Sequence, residues 1–308
     1  MYDAFPILRD QLPHPADLES ALRGREDFLM ACKNTKETEP QFVQTAMDFA
    51  HTQDGQALLD AIFGNSPFLT QCLLREPSWL GRMCLEGTSA LAKAVIDETR
   101  DATRQTWDEA GLMRVLRVHK RRIALTAAIG DITGNWSLYE VTEALSDFAD
   151  AAASAAASYV IRRAADRGAF VLKDTENPER VSGYIIIGIG KLGARELNYS
   201  SDIDLICLFD GDAIETDNRD GLQQHAIRMT RTLARILDER TADGYVFRVD
   251  LRLRPDPGST PLAISVLAAE TYYESLGQNW ERAAMIKARP IAGDLDAGND
   301  FIDHLRPF

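Results

Sequence analysis

Between residues 16 and 170 the apolar positions recur every three or four residues, the spacing that lines them along one side of an α-helix. In ETEPQFVQTAMDFA the shared face is Phe42, Ala46 and Phe49. SPFLTQCLLREP reads as a short helix bracketed by Pro67 and Pro77, with Ser66 as its N-cap. LMRVLRVHKRRIALTAAIGD repeats Leu112, Val115, Leu116, Ile123 and Ala127, and the basic stretch around His119 reads as a solvated face. A long amphipathic helix follows, carrying Leu138, Val141, Leu145 and Phe148 and ending near Gly168. Its alanines at 151–157 are small enough for close helix packing.

A polar, proline-containing break at 173–183 changes the period. YIIIGIG and DIDLICLFD are continuous apolar runs of strand length. A helix then places Leu222, Ala226, Met229, Leu233 and Leu237 on one face. YVFRVDLRLRP alternates as a third strand, PLAIS forms a fourth after PDPGST, and VLAAETYYESLG and NWERAAMIKAR read as helices. The expected class is α+β: a helical N-terminal region, residues 1–172, packed on an α/β domain with a small mixed sheet, residues 173–308.

Strand alternation makes the acids informative. Asp202, Asp204, Ile206 and Leu208 share one face of the second strand. On the third, Tyr245, Phe247, Val249, Leu251 and Leu253 form the core face, leaving Asp250 opposite among Arg248, Arg252 and Arg254. If these strands are neighbours, Asp202, Asp204 and Asp250 converge. Two unit charges at about 4 Å repel by roughly 4 kcal/mol at an effective dielectric of 20, so such a trio calls for a cation. Oxygen donors without His or Cys suit Mg²⁺ or Mn²⁺, which complete their shells with phosphate oxygens. Gly188, Gly190 and Gly193 lie where a strand gives way to a turn, allowing close approach of a phosphate to the backbone, and Lys191, Ser200 and Ser201 stand nearby in sequence. A dinucleotide fingerprint needs a helix after the glycines and an acid such as Asp210 or Asp212 beyond it; ELNYSSDIDL leaves no room for that helix.

Composition narrows the class. Hydrophobic residues at 45% and charged residues at 26% are ordinary for a globular chain. A net charge of −13 argues against a general nucleic-acid binder, which needs phosphate-neutralising cations. Cys32, Cys72, Cys84 and Cys207 are far apart, as expected of reduced thiols in a cytoplasm rather than a zinc or disulfide framework. The acidic, proline-broken N-terminus is unlike a signal peptide, and no apolar run is long enough to span a bilayer. Cytoplasmic, without membrane or nucleic-acid partners, is the expectation.

A glycine turn, D-h-D about a dozen residues later and a distant Asp on a neighbouring strand resemble the nucleotidyltransferase superfamily related to DNA polymerase β. FGNSPFLTQCLLREP, GKLGARELNYSSDIDLICLFD, FRVDLRLRP and NWERAAMIKAR together resemble the bifunctional glutamine synthetase adenylyltransferase/adenylyl-removing enzymes, over about Phe63 to Asp294. The resemblance is to the first of that family's two nucleotidyltransferase domains, so the chain is expected to be a fragment, truncated soon after WERAAMIKAR. It implies removal of AMP from a tyrosine of glutamine synthetase by phosphorolysis, releasing ADP, with AMP addition from ATP or a non-catalytic docking module as alternatives. It further implies Asp202, Asp204 and Asp250 as catalytic metal ligands for Mg²⁺ or Mn²⁺. Gly190, Lys191, Gly193, Ser200 and Ser201 would lie near the phosphates, and Arg252 and Arg254 near the nucleotide. Glu281, Lys287 and Arg289 are possible site contacts, and a PII-type signal protein is a possible second partner. Ala194 replaces a glycine common in relatives, which matters only if φ is positive there. Phosphate is already anionic near neutral pH, whereas a tyrosine hydroxyl with a pKa near 10 wants a base; no His lies near the motif, which favours removal.

Overall fold

The computed structural model describes residues 6–35, 40–105 and 108–307. The start of the segment ETEPQFVQTAMDFA lies outside them. In chain order the helices are α1 (Leu18–Asn34), α2 (Pro40–Ala50), α3 (Gln53–Phe63), α4 (Pro67–Arg75), α5 (Pro77–Glu86), α6 (Thr88–Arg100), α7 (Ala102–Gln105), α8 (Glu109–Ile132) and α9 (Leu138–Asp166). Then follow β1 (Tyr184–Ile189), the single turn α10 (Gly190–Gly193), β2 (Ile203–Phe209), α11 (Leu222–Asp238), β3 (Val249–Asp250), β4 (Ala263–Ser265), α12 (Val266–Ser275), α13 (Asn279–Met285), β5 (Arg289–Gly293) and α14 (Leu295–Leu305). The fold is α+β, with a small mixed sheet.

Backbone packing divides the chain into two units: residues up to Ile96 with His119–Leu145, and Asp97–Val118 with residues from Ser146 on. Among the described residues, the first holds helices and no strand. Ser66 caps α4 by accepting from the Leu69 amide at 3.3 Å, as its position before Pro67 predicts. Gly81 lets α5 meet α2: a Cβ there would stand 1.8 Å from the Phe42 carbonyl oxygen. Trp79 is buried, donates to Thr126 Oγ1 at 2.9 Å and lies under the Arg122 guanidinium, which also bonds Glu76.

The second unit holds the sheet, ordered β3-β2-β1-β5, with β4 also on β2. β1 runs antiparallel to β2 and β5, whereas β3 and β4 run parallel to β2. Ile185, Ile187 and Ile189 of β1 and Ile206 and Leu208 of β2 form one core with Tyr273 of α12 and Phe301 of α14. On the other side Tyr184 bonds Thr230 of α11 at 2.8 Å. The predicted face of α11 is buried throughout.

Three expectations are corrected. The third strand is two residues long, not a clean alternation through Leu253. Val246 and Phe247 are both buried because both amides bond the Leu237 carbonyl, at 2.9 and 3.1 Å, and tie the segment to the end of α11. NWERAAMIKAR is not one helix: α13 stops at Met285, and Arg289 opens β5, which pairs with β1. The stretch around His119 is not a solvated face, since Arg117 is 1% and His119 6% exposed. Burial pushes the His119 imidazole down to about 4, so it sits inside as the neutral ring.

Candidate active site

The β1–β2 ladder pairs Ile189 with Asp204, and the parallel β2–β3 pair sets Asp204 opposite Asp250. The strand ends therefore bring two of the predicted acids into register beside the turn where β1 becomes α10. Gly190 takes φ +59 in that turn, and a Cβ on it would stand 2.8 Å from Asp204 Oδ2. The glycine is needed twice over: for a backbone L-residues rarely adopt, and for room under the carboxylate. Ala194 has φ −78, so its methyl costs nothing there.

Asp204 is half-buried, and its carboxyl pKa is raised, first by burial and then by the charges of Asp250 and Asp202, with Arg252 opposing. Asp250 is held below the usual carboxylate range by Arg252, whose amide and Nε reach Oδ1 at 2.8 and 3.0 Å and whose outer nitrogen reaches Oδ2 at 2.5 Å. Asp202 lies just before β2, exposed, and is gripped by Arg248, whose Nε is 2.5 Å from Oδ1. The same guanidinium donates to the Ser200 carbonyl at 2.7 Å, bracing the loop before β2. Arg248 was visible in the alternation only as a flanking cation; here it is the partner of a predicted site acid.

The other predicted residues fall into two groups. Lys191 is exposed in the glycine turn, and Ser201 Oγ donates to Asn198 Oδ1 at 2.7 Å. The remainder hold the structure. Arg254 folds back on the carbonyls of Leu251, Pro257 and Thr260 at 2.7, 2.8 and 3.1 Å, shaping the loop after β3. Glu281 is 3% exposed and accepts from Tyr272 Oη and the Gln278 amide at 3.0 and 2.9 Å. Lys287 pairs with Glu196 at 2.9 Å, and Arg289 with Asp150 at 2.6 Å. His225 on α11 bonds Arg228 at 2.8 Å.

The donor chemistry fits a hard divalent ion: three carboxylates, no thiolate or imidazole, and one of the three raised by burial and then by its like-charged neighbours. Among the described residues, however, no group of three or more His, Cys, Asp or Glu side chains stands ready to hold a metal. Arginines take the place of the cation at Asp202 and Asp250. A divalent ion here would have to exchange with them. Among the described residues no helix is long and apolar enough to cross a membrane.

Residues 56–304 match the glutamate-ammonia ligase adenylyltransferase family. Over 255 residues the chain is 50% identical to the bifunctional glutamine synthetase adenylyltransferase/adenylyl-removing enzyme of Rhizobium meliloti, covering 81% of this chain and 26% of that protein. It is 48% identical over 255 residues to the enzyme of the same name from Mesorhizobium japonicum, covering 82% and 26%, and 46% identical over 252 residues to that of Agrobacterium fabrum, covering 80% and 26%. The chain thus spans about a quarter of the length of these relatives. With a match over most of its length, the chain belongs to the glutamate-ammonia ligase adenylyltransferase family.

Proposed function

We propose that the β1–α10–β2–β3 site is a nucleotidyltransferase centre that removes AMP from a tyrosine of glutamine synthetase by phosphorolysis. The observation that carries this reading is the register of Asp204 with Asp250 at the strand ends, beside a glycine turn that a side chain would block. An oxygen of inorganic phosphate attacks the phosphorus of the tyrosyl-AMP ester. The phosphorus–tyrosine bond breaks, ADP forms, and the departing phenolate takes up a proton. Asp202, Asp204 and Asp250 would hold Mg²⁺ or Mn²⁺, which when bound neutralises charge on the phosphates. Gly190 and Lys191 would meet the phosphates from the turn, with Ser200 and Ser201 on the loop before β2, while Gly193 is buried against the Lys287 backbone and supports the turn from behind. Arg248 and Arg252, once released from Asp202 and Asp250, are free to pair with phosphate oxygens, which their planar forks match well. Arg254 contributes by fixing the loop that carries Arg252.

No base is required of the chain in this direction, because phosphate arrives ionised. The test is incubation of the chain with adenylylated glutamine synthetase, phosphate and Mg²⁺. ADP release that fails without the metal supports the reading. Absence of ADP, with the adenylyl group retained, contradicts it for this chain.

The arginine-neutralised carboxylates favour a second reading, a nucleotide-binding docking module without turnover. Calorimetry with ADP separates the two, since a module binds as tightly without Mg²⁺ as with it.

A further inference from the structure

We infer that Arg289 and Asp150 are a positioning pair that fixes the glycine turn of this site, so that residues distant in sequence set where Gly190 and Asp204 stand. Arg289 begins β5 and is paired with Gly188 of β1, which anchors its backbone one strand away from the turn. Its side chain then spends every nitrogen. Nε donates to the Gly193 carbonyl at 3.2 Å and one outer nitrogen to the Leu192 carbonyl at 3.1 Å. The two outer nitrogens take Asp150 of α9 bidentately, at 2.6 and 2.9 Å. Asp150 is largely buried, its side chain 14% exposed, so the guanidinium is its counter-charge. The turn is thus gripped by its carbonyl end and referred to a long helix.

Three neighbouring contacts act on the same segment. A Cβ on Gly193 would stand 2.0 Å from the Lys287 carbonyl oxygen, so the backbones are in close contact before any side chain is added. Lys287 Nζ meets Glu196, and Arg195, at φ +59, donates to Asp147 of α9 at 2.6 Å. The far end of this braced turn is Gly190, against which the Asp204 carboxylate rests. A turn free to shift by about 1 Å would carry Gly190 away from that carboxylate, a displacement that costs on the order of 100-fold in rate when it reaches a reacting group. Arg289 and Asp150 bond the turn carbonyls and each other, and so act on the site through the turn.

The inference rests on the phosphorolysis reading for its kinetic arm and on geometry alone for its exchange arm. The experiment compares the wild-type chain with Arg289→Lys, Asp150→Asn and the double variant. It follows ADP release against phosphate concentration, amide hydrogen exchange over residues 190–196, and thermal unfolding. Lysine keeps the charge but loses the fork. Expected for Arg289→Lys are a kcat lower by about 100-fold, a phosphate KM within about two-fold of wild type, and exchange over 190–196 faster by about tenfold or more while the remaining sheet is unchanged. The double variant should be no worse than Arg289→Lys, because both changes remove one interaction. Wild-type kcat in Arg289→Lys, or exchange that rises evenly across the sheet with a fallen melting point, overturns the positioning role. A wild-type chain that releases no ADP but whose 190–196 exchange responds as stated sinks the phosphorolysis reading and upholds the clamp.

Discussion

Gly190→Ala should separate what the turn needs for folding from what the site needs for chemistry. At φ +59 an L-residue is strained by roughly 1–2 kcal/mol, and about 0.4–1 kcal/mol returns because alanine restricts the unfolded chain. Gly168 provides the control. It takes φ +73 at the end of α9, and an added Cβ would meet nothing within 4 Å. Gly168→Ala should therefore lose about 0.5–1 kcal/mol, the strain less the unfolded-state gain, with no clash added. Gly190→Ala adds a methyl 2.8 Å from Asp204 Oδ2. The carboxylate escapes by rotating off its rotamer, adding about 0.5–1.5 kcal/mol. The total stays at about 1–2.5 kcal/mol while the one acid flanked by both others is pushed out of place. Activity and Mn²⁺ affinity should then fall by about 10- to 100-fold. Urea unfolding of the three chains, with ADP release and Mn²⁺ titration on the same samples, measures each part. Gly190→Ala equal to Gly168→Ala in stability and to wild type in Mn²⁺ affinity and ADP release refutes the reasoning. So does a loss above about 4 kcal/mol, which would make the glycine a folding requirement rather than a feature of the site.

Arg117 is 1% exposed and donates to the carbonyls of Met113, Gly244 and Ile236 at 2.8, 2.9 and 3.0 Å and to that of Glu239, so it closes the C-terminal end of α11. Arg117→Met should lower stability by about 3–5 kcal/mol, read as a fall in the urea midpoint, whereas a loss under about 1 kcal/mol contradicts this anchoring role. His119 is held neutral with a pKa of about 4 in the fold against 6.5 unfolded. Below pH 6.5 the unfolded chain binds a proton the folded chain refuses, so stability is full above 6.5 and lost progressively down to about 4, by up to about 3 kcal/mol. His119→Gln should flatten the stability profile across that window; an unchanged slope assigns the acid sensitivity elsewhere.

Much of the sheet, and the register of Asp204 with Asp250 at the candidate site, were legible before the structure. β1 and β2 declared themselves by uninterrupted apolar runs, and the two-residue period of β2 put Asp204 on the face of Ile206 and Leu208. That Asp250 would stand beside it needed only the strands to be neighbours. The extent of β3 was not legible, because side chains compete with the ladder. Arg252 binds Asp250 through backbone and guanidinium, and Arg254 gathers three nearby carbonyls, so the chain turns where alternation predicts extension. β5 was hidden by its brevity and by the helical reading of the residues before it; nothing in RPIAG announces a strand lying against β1. The basic run in α8 misled for a related reason, since a charged side chain reads as solvated unless its carbonyl partners, here more than a hundred residues away, are known. The same distance concealed the link from Arg289 to Asp150 and the glycine turn.

The most direct test is Mn²⁺ titration, by calorimetry and electron paramagnetic resonance, of the wild-type chain and of Asp204→Asn and Asp250→Asn in the presence of ADP. If the carboxylates share an ion, wild type binds Mn²⁺, and each variant binds it at least about tenfold more weakly while keeping its fold. Mn²⁺ binding that is absent from wild type, or equal in all three chains, contradicts the account and leaves the arginines as the permanent partners of these acids.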